Sequence, residues 1–315
     1  MYAALVITYN RPDHTAALLE ALSGQPVSEI FVFSDGPRDE WDLPRVMEVR
    51  DLIDALALDK PVRIYRSEEN LGCRRAVTAA IDWVFESHEA AFILEDDCIP
   101  TQDFFVLGNF VLTAYANEPR VTQFSGRRPA QIPERLFSGN AFGFDIIGST
   151  WGWATWRRAW ELFDRDSKAL ESPATLATLE KLSKNSKTRV DAIRRGYLAV
   201  TRGEVDTWDY HWAMGRLAAD SVAVIPARDL VENIGFGPDA THTRTVPFGV
   251  SPTSENLGSE ARRGLIEPRL SSKVITSLEK SFWRIRFVTL LRRASKRWID
   301  KVYLASIARL RKHLR

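Results

Sequence analysis

Three consecutive carboxylates, Glu95, Asp96 and Asp97, close the apolar run Ala91-Phe-Ile-Leu94 and lead into Cys98-Ile-Pro100. A run this short reads as a buried strand rather than a helix. Acids placed together at its end repel one another and lose hydration on burial, so their charge calls for a cation. A hard divalent ion, Mn²⁺ or Mg²⁺, suits the position, because it takes one or two carboxylates together with phosphate oxygens and water. A solvated loop after an edge strand is the alternative reading. The C-terminal end of a strand, where open α/β sheets bind their ligands, favours a site.

Other polar groups recur at similar places. Thr8, Asn10 and Arg11 end the first apolar run, Asp35 sits in Ser34-Asp-Gly-Pro37, and Asn70 to Arg75 follow the third run. Each alone is an ordinary turn residue. Four such strand ends on one sheet edge make a candidate binding surface. Farther along, Thr207-Trp-Asp-Tyr-His-Trp212 offers Thr207 as an N-cap and Asp209 in the first helical turn. Asp209 reads either as a capping acid or as a general base in a partly dry cleft. Four of the ten tryptophans lie between Thr150 and Trp160. Trp153, Trp156 and Trp160 are spaced for one helical face and so for core packing. The competing reading makes Trp151, Gly152 and Trp153 a wall for a sugar or base, with the Gly152 backbone near the ligand. His242 is a lone histidine in a Gly-rich loop.

The elements that must position these groups alternate. Strands are expected at residues 2–8, 30–34, 62–65 and 91–94, and helices at 14–23, 44–58 and 74–86. That alternation predicts a parallel sheet with right-handed crossovers. A helix at 104–115, a strand at 121–124, a β excursion within 130–149 and a last strand at 221–226 follow. Residues 161–203 read as surface helices and loops with no assigned chemistry.

Composition bounds the class. With 315 residues, 45% hydrophobic and 27% charged, the chain is ordinary for a globular α/β protein. No secretory signal pattern or membrane-length apolar run is seen, so a cytoplasmic location is expected. Cys73 and Cys98 have no metal-ligand spacing and read as reduced thiols. The net charge of +2 conceals an asymmetry. Residues 273–315 hold 13 Lys and Arg against 2 acids, which leaves the body at −9. Residues 246–272 read as a linker, and 273–315 as a basic amphipathic helix. It binds an anionic membrane surface, placing the protein peripherally on the cytoplasmic face, or docks on the acidic body. No nucleic-acid motif is present. There is no P-loop, His-Glu-x-x-His pair or Gly-x-Ser-x-Gly elbow, and Gly235 and Gly237 do not open a dinucleotide-binding helix.

Taken in order, these segments resemble the GT-A fold glycosyltransferases near family 2, and are similar to the Golgi N-acetylglucosaminyltransferases of glycoprotein branching. Val6-Ile-Thr-Tyr-Asn-Arg11 resembles the opening strand and turn, Phe33-Ser-Asp-Gly36 the base-binding aspartate, and Glu95-Asp-Asp97 with Asp103-Phe-Phe105 the acidic metal motif. Trp208-Asp-Tyr-His-Trp212 is similar to the segment holding the catalytic base. Asp209 keeps its Trp-Asp dipeptide, while His211 stands before the second Trp. Ile234-Gly-Phe-Gly and Ala240-Thr-His242 resemble the closing donor loop.

The resemblance implies a mostly parallel Rossmann-like sheet with helices on both faces. Residues 1–100 would form a nucleotide-binding half and 101–245 an acceptor-binding half. Thr8, Asn10, Arg11, Asp35, Asn70, Arg74, Glu95 and Asp96 would hold a nucleoside-diphosphate sugar, with UDP the implied carrier. Asp97 would bind Mn²⁺ or Mg²⁺, Asp209 would be the base, and His242 would contact the donor. The reaction would be inverting transfer to a glycan or other hydroxyl. A sugar-nucleotide pyrophosphorylase and a non-catalytic glycan- or sugar-nucleotide-binding protein are the alternatives. The first lacks its Gly-rich basic loop at Tyr9-Asn-Arg-Pro12.

Overall fold

The computed structural model describes residues 1–129, 132, 134–137 and 140–236. His242, the linker and the basic tail lie outside these residues. The chain runs β1 (Ala3–Thr8), α1 (Pro12–Ala21), β2 (Ile30–Ser34), α2 (Leu43–Asp54), β3 (Val62–Arg66), α3 (Gly72–Phe85) and β4 (Ala90–Glu95). After β5 (Cys98–Pro100) and α4 (Gln102–Ala114) come β6 (Val121–Ser125), β7 (Phe142–Asp145), β8 (Trp153–Trp156) and α5 (Arg157–Trp160). Then follow α6 (Pro173–Thr201), α7 (Asp209–Ala218), β9 (Val222–Pro226) and β10 (Val231–Asn233).

Eight strands form one sheet in the order β3-β2-β1-β4-β8-β6-β9-β7. β1, β2, β3 and β4 are mutually parallel, as the strand–helix alternation predicts; every residue of β1 and β2 is buried, while β3 is a largely exposed edge strand. β8 is antiparallel to both β4 and β6, β9 runs parallel to β6, and β7 is antiparallel to β9. The sheet is thus mixed but mostly parallel. β5 and β10 pair as a separate antiparallel ribbon that ties Asn233 to Cys98. This ribbon has no sequence signature, since each strand is three residues long.

Helix α4 seals one face through an aromatic cluster. Phe104 lies 5.2 Å from Phe92 and 5.6 Å from Phe124, and Phe105 lies 5.0 Å from Phe92. Such ring pairs add about 0.5–1.5 kcal/mol each beyond the area they bury.

The tryptophan-rich stretch differs from its expected helical face. Trp153 to Trp156 form a strand inserted between β4 and β6, and only the four residues after it are helical. All four strand residues are buried, so two-sided burial hides the period-two pattern of a strand. The core role of these rings holds. Trp153 stacks on Trp208 at 5.3 Å and lies 5.5 Å from Trp212, with Trp160 beside both. Residues 161–203 also exceed their expected surface role. α6 is 29 residues long and starts at Ser172, whose hydroxyl accepts from the Thr175 N–H. Its Leu179, Val190, Ile193 and Tyr197 pack with Met214 and Leu217 of α7 in a second core.

Candidate active site

The C-terminal ends of β1, β2, β4, β6 and β9 meet on one edge, and a cleft of about 1670 Å³ opens there. Thr8, Asn10, Arg11, Asp35, Asn70, Glu95, Asp96, Asp97, Trp151 and Asp209 all line it. Residues about 200 positions apart in sequence are therefore brought to one hollow.

The acidic strand end has a partner that the sequence did not single out for this task. Arg11, at the turn between β1 and α1, reaches across β1 to Asp96. Its Nη2 donates to Asp96 Oδ1, its Nε to Asp96 Oδ2 at 3.2 Å, and its Nη1 to Asp97 Oδ2 at 3.2 Å. Burial works against the Arg11 charge, but Asp96 and Asp97 hold the guanidinium firmly protonated. One cation does not neutralise three acids. Burial and the neighbouring charges of Asp97 and Asp96 push Glu95 well above the carboxylate range. Burial likewise pushes Asp96 up, against the pull of Arg11. Asp96 is 2% exposed and committed to Arg11, so it positions that side chain and is not open to a donor. Asp97 is the more open of the two, at 18% of its side chain. Gly235, on the segment after β10, abuts it: a Cβ there would lie 2.2 Å from Asp97 Oδ2. The Ile234 N–H also donates to the Asp97 carbonyl at 2.9 Å, so the segment is fastened beside this carboxylate.

Among the described residues, no group of three or more His, Cys, Asp or Glu is arranged to enclose a metal ion. The site fits a different coordination. The surplus negative charge around Glu95, with Asp97 open to the cleft, matches an ion that takes one or two carboxylates and completes its shell with phosphate oxygens and water.

Asp35 is held firmly. Its Oδ1 accepts from the Gly36 and Leu71 N–H groups, each at 2.9 Å, and its Oδ2 accepts from Asn70 Nδ2 at 3.1 Å. Burial raises its pKa while those N–H groups oppose the rise. A second carboxylate, Asp42, organises the same end of the cleft. It accepts from Asn10 Nδ2 at 2.8 Å, from Arg38 Nε at 2.6 Å and from the Tyr9 hydroxyl. Bonding to Arg38 holds its pKa well below the usual carboxylate range. Nothing in the sequence distinguished Asp42 from its acidic neighbours. Thr8 lines the cleft, but its hydroxyl is engaged with the Phe33 carbonyl at 3.3 Å.

Asp209 is the first residue of α7, and Thr207 plays a different part from the expected cap. The helix is preceded by Trp208, with no side-chain cap bond, and the Thr207 hydroxyl donates to Asp209 Oδ1 at 2.6 Å. This bond fixes the carboxylate and leaves its other oxygen for a ligand. His211, the alternative to Asp209, is enclosed in the core. It is fully buried, outside the cleft wall, between Phe163 and Tyr197, with Nε2 2.8 Å from the Ser167 hydroxyl. Burial pushes its pKa down to about 4.

Three expected contacts are not on the cleft wall. Arg74 Nη2 donates to the Arg165 carbonyl at 3.3 Å and lies 3.4 Å from the Ser167 hydroxyl. Trp153 is fully buried, so it is core and not a sugar wall. Gly152 serves packing: with φ at +63°, its missing Cβ would meet Val231 at 2.6 Å. Trp151 does face the cleft, edge-on to Phe236 at 5.6 Å.

Four groups were missed. Asp206 accepts from the Arg74 N–H at 3.3 Å, at the start of α3. Ile193, Gly196 and Ala199 of α6 line the cleft. Arg127 and Arg128 follow β6, a strand end where the logic applied to β1, β2 and β4 would have found them. Arg216 is the fourth, 1% exposed, with Nε on Thr122 Oγ1 at 2.8 Å and Nη1 on Gln123 Oε1 at 3.1 Å. Burial lowers its pKa to about 10. Neither Cys73 nor Cys98 is in a disulfide, and burial pushes both thiols up.

Among the described residues no helix is long and apolar enough to cross a membrane. No curated protein matches the chain. Residues 3–149 match the family model described as glycosyl transferase family 2. The match takes in every strand end of the acidic wall, with Asp35 and Glu95 to Asp97, and stops before Trp151 and Asp209. Enzymes of this family take a nucleotide-sugar donor and an acceptor and commonly use a divalent metal. The sheet, the cleft at its strand ends and the matched segment agree in making the chain a glycosyltransferase.

Proposed function

We propose that the protein transfers a sugar, with inversion, from a nucleoside-diphosphate donor to a hydroxyl of a glycan or similar acceptor, in a divalent-metal-dependent reaction. UDP is the carrier implied by the likeness to the Golgi N-acetylglucosaminyltransferases. One observation carries the reading: the acidic strand end and Asp209 line one cleft.

Asp35 and Asn70, locked by the bonds described above, present a rigid polar floor for the base. Asp97 would hold Mn²⁺ or Mg²⁺, which when bound supplies positive charge to the leaving diphosphate. Arg11 adds a fixed cation beside the same carboxylates. Asp209, held by Thr207 through Oδ1, accepts the acceptor's O–H proton on Oδ2. The freed oxygen bonds to the anomeric carbon from the face opposite the diphosphate. The bond from that carbon to the diphosphate oxygen breaks, and its electron pair leaves with the diphosphate. Trp208, buried between Asp209 and the tryptophan core, keeps water from that side.

The excess charge of residues 273–315 supports a further partner, an anionic membrane surface. Sedimentation with anionic liposomes is expected to be lost on deleting these residues, and equal sedimentation of both chains would remove the proposal.

The activity is tested with a panel of nucleotide sugars and Mn²⁺, with and without acceptors, by measuring free nucleoside diphosphate. Acceptor-dependent release that fails in Asp97→Ala is the expected result. Binding without release across the panel would make the chain a binding protein. Pyrophosphate-dependent nucleoside triphosphate would make it a pyrophosphorylase.

A further inference from the structure

The cleft is electrically lopsided. Its wall at β1, β2, β4 and the approach to α7 carries Asp35, Asp39, Asp42, Glu95, Asp96, Asp97, Asp206 and Asp209 against Arg11, Arg38 and Arg45. The wall at β6, β9 and the 147–151 segment carries Arg127, Arg128 and Arg216, and its only lining carboxylate among the described residues is Asp229. That carboxylate is spent inside the wall. Its Oδ2 accepts from Arg127 Nη2 at 2.9 Å, and its Oδ1 accepts from the Arg128 backbone N–H at 2.9 Å.

The three cations are held differently. Arg127 is 3% exposed, and its guanidinium sits 5.4 Å from the Trp151 ring centre. Arg216 is buried below, with its Nη2 unpartnered. Arg128 is half-buried on the cleft wall. Its Nη1 donates to the Ala227 carbonyl at 2.9 Å, and among the described residues no carboxylate pairs with its guanidinium. A guanidinium fixed through one nitrogen to a carbonyl keeps its other donors for a carboxylate or phosphate.

We propose that the acceptor carries an oxyanion, a carboxylate or a phosphate, which Arg128 binds on this wall with Arg216 adding positive field. The proposal rests on the transferase reading for the word acceptor, and its physical content is a preference for anionic saccharides. The opposite acidic wall would repel such a group, so the same charges also orient it, anion toward β6 and reacting hydroxyl toward Asp209.

The test uses the full chain and calorimetric binding of paired oligosaccharides: a uronic-acid oligosaccharide against its methyl ester, and a phosphomonoester oligosaccharide against its dephosphorylated form. The expected result is at least tenfold tighter binding of an anionic member than of its neutral partner, and loss of that preference in Arg128→Gln with unchanged melting temperature. Which pair shows the preference distinguishes carboxylate from phosphate. Arg128→Lys should restore part of it. Equal binding within both pairs, including none, overturns the proposal, as does an Arg128→Gln chain that keeps the preference. Weaker binding of UDP with Mn²⁺ in Arg128→Gln, with the preference intact, would assign the residue to the donor instead. Absence of donor turnover in the wild-type chain would defeat the transferase reading while leaving the anion preference legible in these titrations.

Discussion

The two walls of the cleft handle charge in opposite ways. On the acidic wall, carboxylates outnumber guanidinium groups, and the pairs that exist engage only part of them: Arg11 with Asp96, and Arg38 with Asp42. What remains, around Glu95 and Asp97, is uncompensated and pushes Glu95 up. On the wall built from β6, β9 and α7, the cations are desolvated and bonded mainly to neutral groups. Arg216 lies against Thr122 and Gln123, with its guanidinium 5.6 Å from the Trp212 ring centre. The first wall therefore carries a surplus of carboxylates over guanidinium groups. The second holds its cations mainly on neutral acceptors and leaves donors over, Arg216 Nη2 unpartnered and the Arg128 guanidinium bonded to one carbonyl. The difference separates a wall of surplus carboxylates from one of surplus guanidinium groups.

That contrast is sharpened most by Asp209→Asn. It keeps the shape and removes the base, so turnover should fall by about 10²–10⁴-fold while UDP binding persists. Turnover within a factor of three of wild type would show that Asp209 only starts its helix. Next comes Arg216→Met. It strips β6 and the segment after β7 of their shared donor and should cost about 3 kcal/mol in denaturant unfolding, with little effect on nucleotide affinity. A loss of nucleotide binding without a loss of stability would mean the second wall also receives the donor.

His211 gives a pH signature to the same region. Its folded pKa of about 4 lies below its unfolded value of 6.5. On acidification the unfolded chain takes the proton first, so stability present above pH 6.5 is lost as pH falls toward 4. The loss should reach up to about 3 kcal/mol at pH 4. Urea midpoints at pH 7 and 4.5 should differ less in His211→Phe than in wild type, and an equal difference would contradict the assignment. Smallest is Gly235→Ala. The added methyl must displace Asp97 Oδ2 or the segment after β10, so activity should drop about tenfold with melting temperature little changed. Unaltered activity would detach that segment from the acidic wall.

The acidic wall was the more legible of the two because its strands are continuous apolar runs ending in polar turns. Ala3 to Thr8 and Ile30 to Ser34 are buried throughout, so pattern and burial coincide. Asp35, Asn70 and Asp97 stood out because they close those runs. The second wall depends on long-range pairing. Trp153 to Trp156 carry a spacing that suits a helix, and only the insertion of this segment between β4 and β6 makes it a strand. The β5–β10 ribbon, the bond from Thr207 to Asp209 and the reach of α6 into the cleft follow from tertiary packing and leave no local pattern. The acid cluster itself was half read. Its need for a cation was visible, but that Arg11 supplies part of it was not, since 85 residues separate Arg11 from Asp96.

The central claim is that the acidic wall receives a divalent ion and a diphosphate together at Asp97. Calorimetric titration of UDP with and without Mn²⁺, in wild type and Asp97→Asn, tests it most directly. Mn²⁺ should tighten UDP binding at least tenfold in wild type and leave it unchanged in Asp97→Asn. An equal gain in both chains, or none in wild type, would contradict it.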